Sequence, residues 1–357
     1  MLSLQRNRNT NQYLIIMLTL RIKEICRDKG ITLNDLAEKI GVSQPSISGI
    51  ATGRQKPSFD TLEKLATALD VPVTELFDTQ KESTITCPPL QKIYNPKSRM
   101  IMNEELNKLL QECDTLKARL SGLRPLPAEA LKKIEEAFAI EYTYESNRIE
   151  GNTLTLQETE LVVNEGVTIA GKSMREHLEA INHAEAIDYI KDFAKNGIEI
   201  SERTIKEIHA LVLHGINREN AGRYRSVPVM ISGSTHVPPQ PYLLEKQMED
   251  FIIKFREMEA EKVHPVLIAA FLHDELVRIH PFIDGNGRTS RLLMNLYLLR
   301  NGFTLVALKG NNEEKISYYK ALEASHTENN PLDFQKVVAQ AEITSLKRYL
   351  SVLGETE

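Results

Sequence analysis

The chain has 357 residues, which corresponds to roughly two or three domains. It is 41% hydrophobic and 26% charged, an ordinary globular composition, and its net charge of −5 gives no global pull toward nucleic acid, so any DNA contact must come from a local patch. Trp is absent and aromatics are 6%, which disfavours a carbohydrate- or base-stacking platform; Cys26, Cys87 and Cys113 form no CxxC pair and no zinc pattern, in keeping with a reducing cytoplasm.

In chain order, the run from Tyr13 to Leu20 follows two arginines and has a faint signal-peptide character. It is shorter than the ~20 apolar residues that span a bilayer, and no small-residue cleavage site follows. The expectation is a buried helix start and no membrane partner. Met17 is a second candidate start, since a tidy domain begins just after it.

Residues 18 to 77 read as five short helices. Leu20, Ile22, Ile25 and Cys26 line the first; Leu33, Leu36, Ala37 and Ile40 line the second, which Gly41 ends. Ser43 caps a third, with Pro45 in its first turn and Ile47 and Ile50 inward. Ser58 caps a fourth, with Leu62, Leu65, Ala66 and Leu69 as its stripe, and Val73 to Phe77 closes the unit. Helix, short Gly-containing turn, helix is a helix-turn-helix pattern. From Leu36 to Ser48, and again from Gly53 to Ser58, the stretch resembles the phage-repressor-like helix-turn-helix family. The resemblance implies duplex DNA as a partner of residues 1–78, in a homodimer. Gln44, Ser46 and Ser48 would face base edges, and Arg54 and Lys56 would face phosphate. Leu33 stands where many members carry Gln beside the DNA, and charge in the segment is nearly balanced. The alternative is a helical module for dimerisation or protein contact.

Residues 79–99 lose periodicity and carry Pro88, Pro89 and Pro96, which makes them a linker. Helical patterns then run through 100–357. A helix starting near Ala128 ends at Gly151, with Ser146 and Glu150 at i and i+4, and Thr155 with Glu158 forms a capping box for the next helix. Between Gly222 and Pro241, Val227, Val229 and Ile231 alternate, Gly233-Ser234-Thr235 turns the chain, and Pro238-Pro239 ends it. The expectation is a small β-hairpin in an otherwise α-helical domain.

The chemistry concentrates in His280-Pro281-Phe282-Ile283-Asp284-Gly285-Asn286-Gly287-Arg288-Thr289-Ser290-Arg291. One amphipathic helix leads in over 265–279, and another leads out from about Asn286 to Arg300. A Gly-rich loop opening onto a helix N-terminus exposes unpaired backbone N–H groups to an anion, phosphate above all. Gly285 and Gly287 allow close backbone approach. Asp284 is a hard oxygen donor suited to Mg²⁺. Asn286 can donate to a developing equatorial oxygen. Arg288 and Arg291 share a helix face and match a polyphosphate. His280 can take a proton from a hydroxyl near neutral pH. Phe282 points into the core. Singly, each residue has a structural explanation; about nine fixed positions together do not arise by chance.

This segment resembles the Fic family motif, His-x-Phe-x-(Asp/Glu)-Gly-Asn-Gly-Arg-x-x-Arg, without a departure, and related proteins that phosphorylate tend to break its Gly-Asn-Gly-Arg part. The likeness extends over about 200 residues. It takes in Gly222-Arg223-Tyr224-Arg225 and a flap carrying Val229, Ile231, Gly233 and His236. It also takes in His273 and the stretch Tyr318 to Leu322, which resembles the part that abuts the adenine end. The fold implied is mainly α: a helical Fic fold with a small hairpin flap behind a five-helix helix-turn-helix domain. The activity implied is transfer of AMP from ATP, with Mg²⁺, to a Ser, Thr or Tyr hydroxyl of a target protein, which can be the chain itself. His280 would be the base, Asp284 the metal ligand, Gly285 to Gly287 with Asn286 the anion hole, and Arg288 and Arg291 the phosphate clamp. Ser146 to Asn152 resembles the family's inhibitory motif, (Ser/Thr)-x-x-x-Glu-(Gly/Asn), in which Glu150 reaches Arg291 and takes the γ-phosphate position. The alternatives are a de-AMPylase with Glu150 orienting water, and a DNA-binding regulator whose Fic domain senses nucleotide.

Overall fold

A computed structural model describes residues 4–6, 13–15, 19–52, 57, 59–78, 104–123 and 128–354. The chain divides into two units, 1–99 and 100–357. In the first, α1 (Ile22–Asp28), α2 (Leu33–Ile40), α3 (Gln44–Ala51), α4 (Phe59–Leu69) and a 3₁₀ turn (Val73–Leu76) surround one core. Ile22, Leu36, Ile47 and Leu65 are fully enclosed in it. Thr32 and Asp35 cap α2 reciprocally, and Gly41 leaves it at φ 72, as the sequence requires. Ser43 precedes α3 without a side-chain bond to the helix backbone; its hydroxyl meets Ser46 Oγ at 2.9 Å instead.

Tyr13–Ile15 and Thr19–Leu20 are strands and not part of a helix start. Tyr13–Ile15 (β2) pairs antiparallel with Leu4–Arg6 (β1), and Thr19–Leu20 (β3) pairs with Phe77–Asp78 (β4). The segment is rich in β-branched and aromatic residues, which suit a pleated strand better than a helix. The second pairing joins the two ends of the helical segment, just before α1 and just after the 3₁₀ turn. Arg54, Lys56, Ser58, Cys87 and the linker at 79–99 lie outside the described residues.

The second unit is helical: α5 (Glu104–Gly122), α6 (Ala128–Ile149), α7 (Leu156–Glu165), α8 (Met174–Lys195), α9 (Glu202–Val212), α10 (Leu244–Ala260), α11 (Pro265–Ile279), α12 (Asn286–Arg300), α13 (Asn312–Glu328) and α14 (Leu332–Val352). Reciprocal caps start α7 at Thr155, α8 at Ser173 and α9 at Ser201, so these helices begin where local chemistry dictates. α12 is the hub. Leu292, Leu293, Met294, Leu296 and Leu298 are wholly buried around its circumference. A helix buried on all sides cannot shift without disturbing every neighbour, and its N-terminus carries the motif.

The segment 222–241 corrects the expected hairpin: no strand is assigned there. The turn is present, with Gly233 at φ 80 and Ser234 N–H donating to Ile231 O at 3.2 Å. Alternating burial covers only part of the expected run: Val229 and Ile231 are half-buried and Met230 is exposed, but Val227 is exposed as well. What is missing is the ladder, because the second arm is spent elsewhere. Thr235 N–H donates to Glu323 Oε1 at 2.9 Å, His236 N–H donates to Ser234 Oγ at 3.1 Å, and Pro238 and Pro239 have no N–H to give.

Candidate active site

α11 delivers His280 as its C-cap residue, in the left-handed region at φ 51 and ψ 57. A non-glycine residue holds that conformation only where its surroundings fix it. Here Arg225 does so: its Nε donates to His280 O at 2.8 Å and its backbone N–H to Pro281 O at 2.9 Å. The imidazole Nδ1 lies 3.3 Å from Val277 O, so a proton on Nδ1 leaves the Nε2 lone pair free to accept one. Burial pushes the His280 imidazole down to about 4, and the Arg225 charge acts the same way while Glu150 opposes it. The ring is therefore neutral at physiological pH.

The loop is held from beneath. Phe282 is buried and stacks on His209 at 3.6 Å between centroids, nearly parallel at 7°. His209 Nε2 donates to Asp284 O at 2.9 Å and Nδ1 accepts from Gly222 N–H at 2.9 Å, which fixes the tautomer and ties the flap to the loop. Gly285 sits at φ +80, and a Cβ on it would meet His209 at 3.3 Å. Asn286 clasps the turn: its amide donates to Phe282 O at 2.9 Å and its carbonyl accepts Phe282 N–H at 3.0 Å. With its acceptor and one of its donors engaged in this way, Asn286 shapes the loop first and retains a single amide hydrogen for any anion.

Arg288 and Arg291 are 2% and 1% exposed, so α12 does not present the solvated basic face that two arginines usually signal. Arg291 Nε donates to Ser146 Oγ at 2.9 Å and Nη2 to Ser146 O at 2.9 Å. Nη2 also meets Glu150 Oε1 at 2.7 Å. Tyr318 is buried behind Arg291, 3.5 Å from Nη1, and its hydroxyl lies 3.1 Å from His273 Nε2; the neighbouring Tyr319 reaches the surface. Arg288 lies 3.5 Å from both Glu179 and Asp284, but its Nε and Nη1 are buried without any hydrogen-bond partner. Buried guanidinium donors left open are costly and point to an anionic ligand.

Glu150 closes the arrangement. It follows α6, with Gly151 at φ 96 turning the chain away. A Cβ on Gly287 would lie 2.3 Å from Glu150 Oε1, so the carboxylate rests directly on the first turn of α12, where the helix offers its N–H groups. Burial alone would raise the Glu150 pKa, but Arg291 and Arg288 outweigh it and hold it below the usual range.

Asp284 Oδ1 accepts Gly285 N–H at 2.6 Å and Oδ2 accepts Arg175 Nη2 at 2.6 Å. A carboxylate offers about four lone-pair sites, and here both oxygens are already engaged, one of them by the positive charge of Arg175. Among the described residues no group of three or more His, Cys, Asp or Glu side chains could hold a metal.

The structure groups His280, Asp284, Gly285, Asn286, Gly287, Arg288, Arg291, Ser146 and Glu150 around the start of α12, with Arg225 and His236 of the flap segment beside them. His209, Arg175 and Glu179 escape sequence reading. His209 is one polar residue on the apolar face of α9, and Arg175 and Glu179 read as an i,i+4 surface pair. Gln44 is exposed at the start of α3, with Ser46 and Ser48 half-buried, in the separate first unit.

Residues 199–298 match the Fic/DOC family and residues 22–76 a helix-turn-helix family. The chain is 38% identical over 258 residues to a protein adenylyltransferase Fic of Nematostella vectensis, covering 72% of this chain and 58% of that one. It is 35% identical to the corresponding protein of Drosophila grimshawi, over 68% of this chain and 49% of that one. It thus spans between about half and three-fifths of these relatives. Among solved structures, a Fic domain containing signaling protein of Bacteroides thetaiotaomicron superposes with a TM-score of 0.62 at 29% identity, over 69% of this chain and 98% of that one. Fic-1 of C. elegans superposes with a TM-score of 0.64 at 24% identity, over 94% of this chain and 97% of that one, a likeness of fold.

Proposed function

The chain carries a Fic/DOC domain and, ahead of it, a helix-turn-helix domain, and from that premise we propose that it transfers AMP from ATP to a hydroxyl of a target protein and restrains itself through Glu150. The observation that carries this reading is the N-terminus of α12: two buried arginines, one with open donors, face the same first turn on which Glu150 rests.

In this reading His280 Nε2 takes the proton of a Ser, Thr or Tyr hydroxyl as the oxygen attacks the α-phosphorus. The α–β phosphoanhydride breaks and pyrophosphate leaves. Arg288 and Arg291 hold the charge of the departing phosphates, and the backbone N–H groups at the start of α12 face the α-phosphate oxygens. Asp284 would hold Mg²⁺, which neutralises phosphate charge when bound. The segment Val229 to Ile231 would receive the target segment by strand addition. Glu150, placed where a γ-phosphate would reach Arg291, removes a ligand and adds like-charge repulsion. Target, metal and homodimer, and duplex DNA at Gln44, Ser46 and Ser48, belong to this proposal. The competing readings are de-AMPylation, with Glu150 orienting water, and nucleotide sensing without turnover. No helix among the described residues is long and apolar enough to cross a membrane.

The test is incubation of wild type and Glu150→Gly with ATP labelled at the α- or the γ-phosphate, followed by separation of protein from nucleotide. AMP transfer predicts protein-bound label from the α-position alone, stronger in the variant. Label from the γ-position would mean phosphorylation, and label from neither would favour the sensing reading.

A further inference from the structure

Four charged side chains meet at the mouth of the site: Arg175 and Glu179 from the first turns of α8, Asp284 from the loop and Arg288 from α12. Arg175 Nη2 donates to Asp284 Oδ2 at 2.6 Å, and its Nε to Glu179 Oε1 at 3.1 Å. Arg288 stands 3.5 Å from Asp284 Oδ1 and 3.5 Å from Glu179 Oε1. One carboxylate, Asp284, is thus neutralised by two guanidinium groups.

The two arginines differ in freedom. Arg288 is 2% exposed and packed into α12, whereas the Arg175 side chain is 57% exposed and can swing into water. Arg175 is aimed by Glu179, which is 11% exposed and held from behind: Asn152 Nδ2 donates to Glu179 Oε2 at 3.1 Å, and Asn147 Nδ2 to its backbone carbonyl at 3.2 Å. Asn147 and Asn152 flank Glu150. The corner that sets Glu150 on Arg291 therefore also sets, through Glu179, Arg175 on Asp284.

We propose that Arg175 is a built-in competitor for the divalent cation: its guanidinium occupies the carboxylate that the metal needs, and a metal–nucleotide complex seats only by displacing it. The inference rests on Asp284 being the metal carboxylate. A cation that takes a single protein carboxylate has no second one to fall back on, so competition at Asp284 is direct. Arg175 is then a positioning residue that touches neither nucleotide nor target. It adds a second restraint beside Glu150, one that acts on the metal and not on the γ-phosphate.

The experiment titrates Mn²⁺ into the full chain with α,β-methylene-ATP saturating, so that no turnover intervenes, and reads bound metal by water-proton relaxation. Arg175→Gln lowers the Mn²⁺ midpoint roughly three- to tenfold, as expected for loss of a charge-assisted contact to the competed carboxylate. Arg175→Lys, which keeps the charge, stays near wild type. Asp284→Asn raises the midpoint. Thermal unfolding of each variant confirms that it is folded. A midpoint unmoved by Arg175→Gln, while Asp284→Asn raises it, overturns the competitor and leaves the assignment of Asp284 standing. A midpoint unmoved by Asp284→Asn removes the metal carboxylate itself, and the inference with it.

Discussion

Glu150 Oε1 and Arg291 Nη2 lie 2.7 Å apart, joined across 141 residues of chain at the first turn of α12. Arg291 is also bonded through Ser146, so Glu150 can leave without unseating the guanidinium. Glu150→Gly is therefore expected to remain folded and to raise AMP transfer by at least roughly tenfold, about 1.4 kcal/mol in barrier. The gain should fall on turnover more than on ATP affinity. Arg291→Ala should cancel it, since both residues act through one contact. Rates of the two single variants and the double variant close the cycle, and additive effects would contradict a shared contact.

His280 gives a pH signature. Its neutral form is the base, and burial holds its pKa at about 4. Transfer by Glu150→Gly should then be flat through pH 6 to 8 and fall only on approach to 4. Removing Glu150 takes away a charge that raises the His280 pKa, so the acid limb should move lower still. A limb near 6.5 would mean an ordinary exposed imidazole. His280→Ala should abolish transfer and leave ATP binding near wild type in calorimetry.

Arg288 separates stability from function. Its Nε and Nη1 donate no hydrogen bond, and its ion contacts to Glu179 and Asp284 are long, both at 3.5 Å. Arg288→Met should keep thermal stability within a few degrees while weakening ATP binding by roughly tenfold or more. Retained affinity in the folded variant would assign those donors no phosphate.

The motif was legible because its chemistry is local: two glycines, a helix start and charged groups at fixed spacing. Thr155 with Glu158, and the inward Phe282, were legible for the same reason. What sequence could not supply was long-range. The burial of Arg288 and Arg291 depends on α8 and α6 packing over α12, and His209 reaches Asp284 from 75 residues away. The flap reads as a hairpin by alternation alone, yet Glu323 and the Ser234 hydroxyl take backbone N–H groups its second arm would need. Tyr13 to Leu20 reads as apolar, and apolarity alone does not separate strand from helix.

Glu342 on α14 supplies a stability test away from the site. It is fully buried; Oε1 accepts Thr304 N–H at 2.9 Å and Thr304 Oγ1 at 2.8 Å, while Oε2 has no partner. Burial pushes its pKa up to about 7, against donation from Thr304 and the charge of Lys117. The folded state thus holds a proton between pH 4.5 and 7 that the unfolded chain releases, so stability declines as pH rises through that window, by roughly 3 kcal/mol in all. Glu342→Gln should flatten the decline between pH 5 and 8 in denaturant unfolding. Equal slopes in the two proteins would contradict a buried titrating carboxyl.

The central claim is AMP transfer governed by Glu150, and intact-mass spectrometry of the protein after incubation with ATP and Mg²⁺ tests it most directly. Glu150→Gly should carry covalent AMP on itself or on added lysate proteins, the wild type far less, and Glu150→Gly combined with His280→Ala none. A folded Glu150→Gly with no AMP adduct on itself or on any lysate protein, or with no more than the wild type carries, would contradict it.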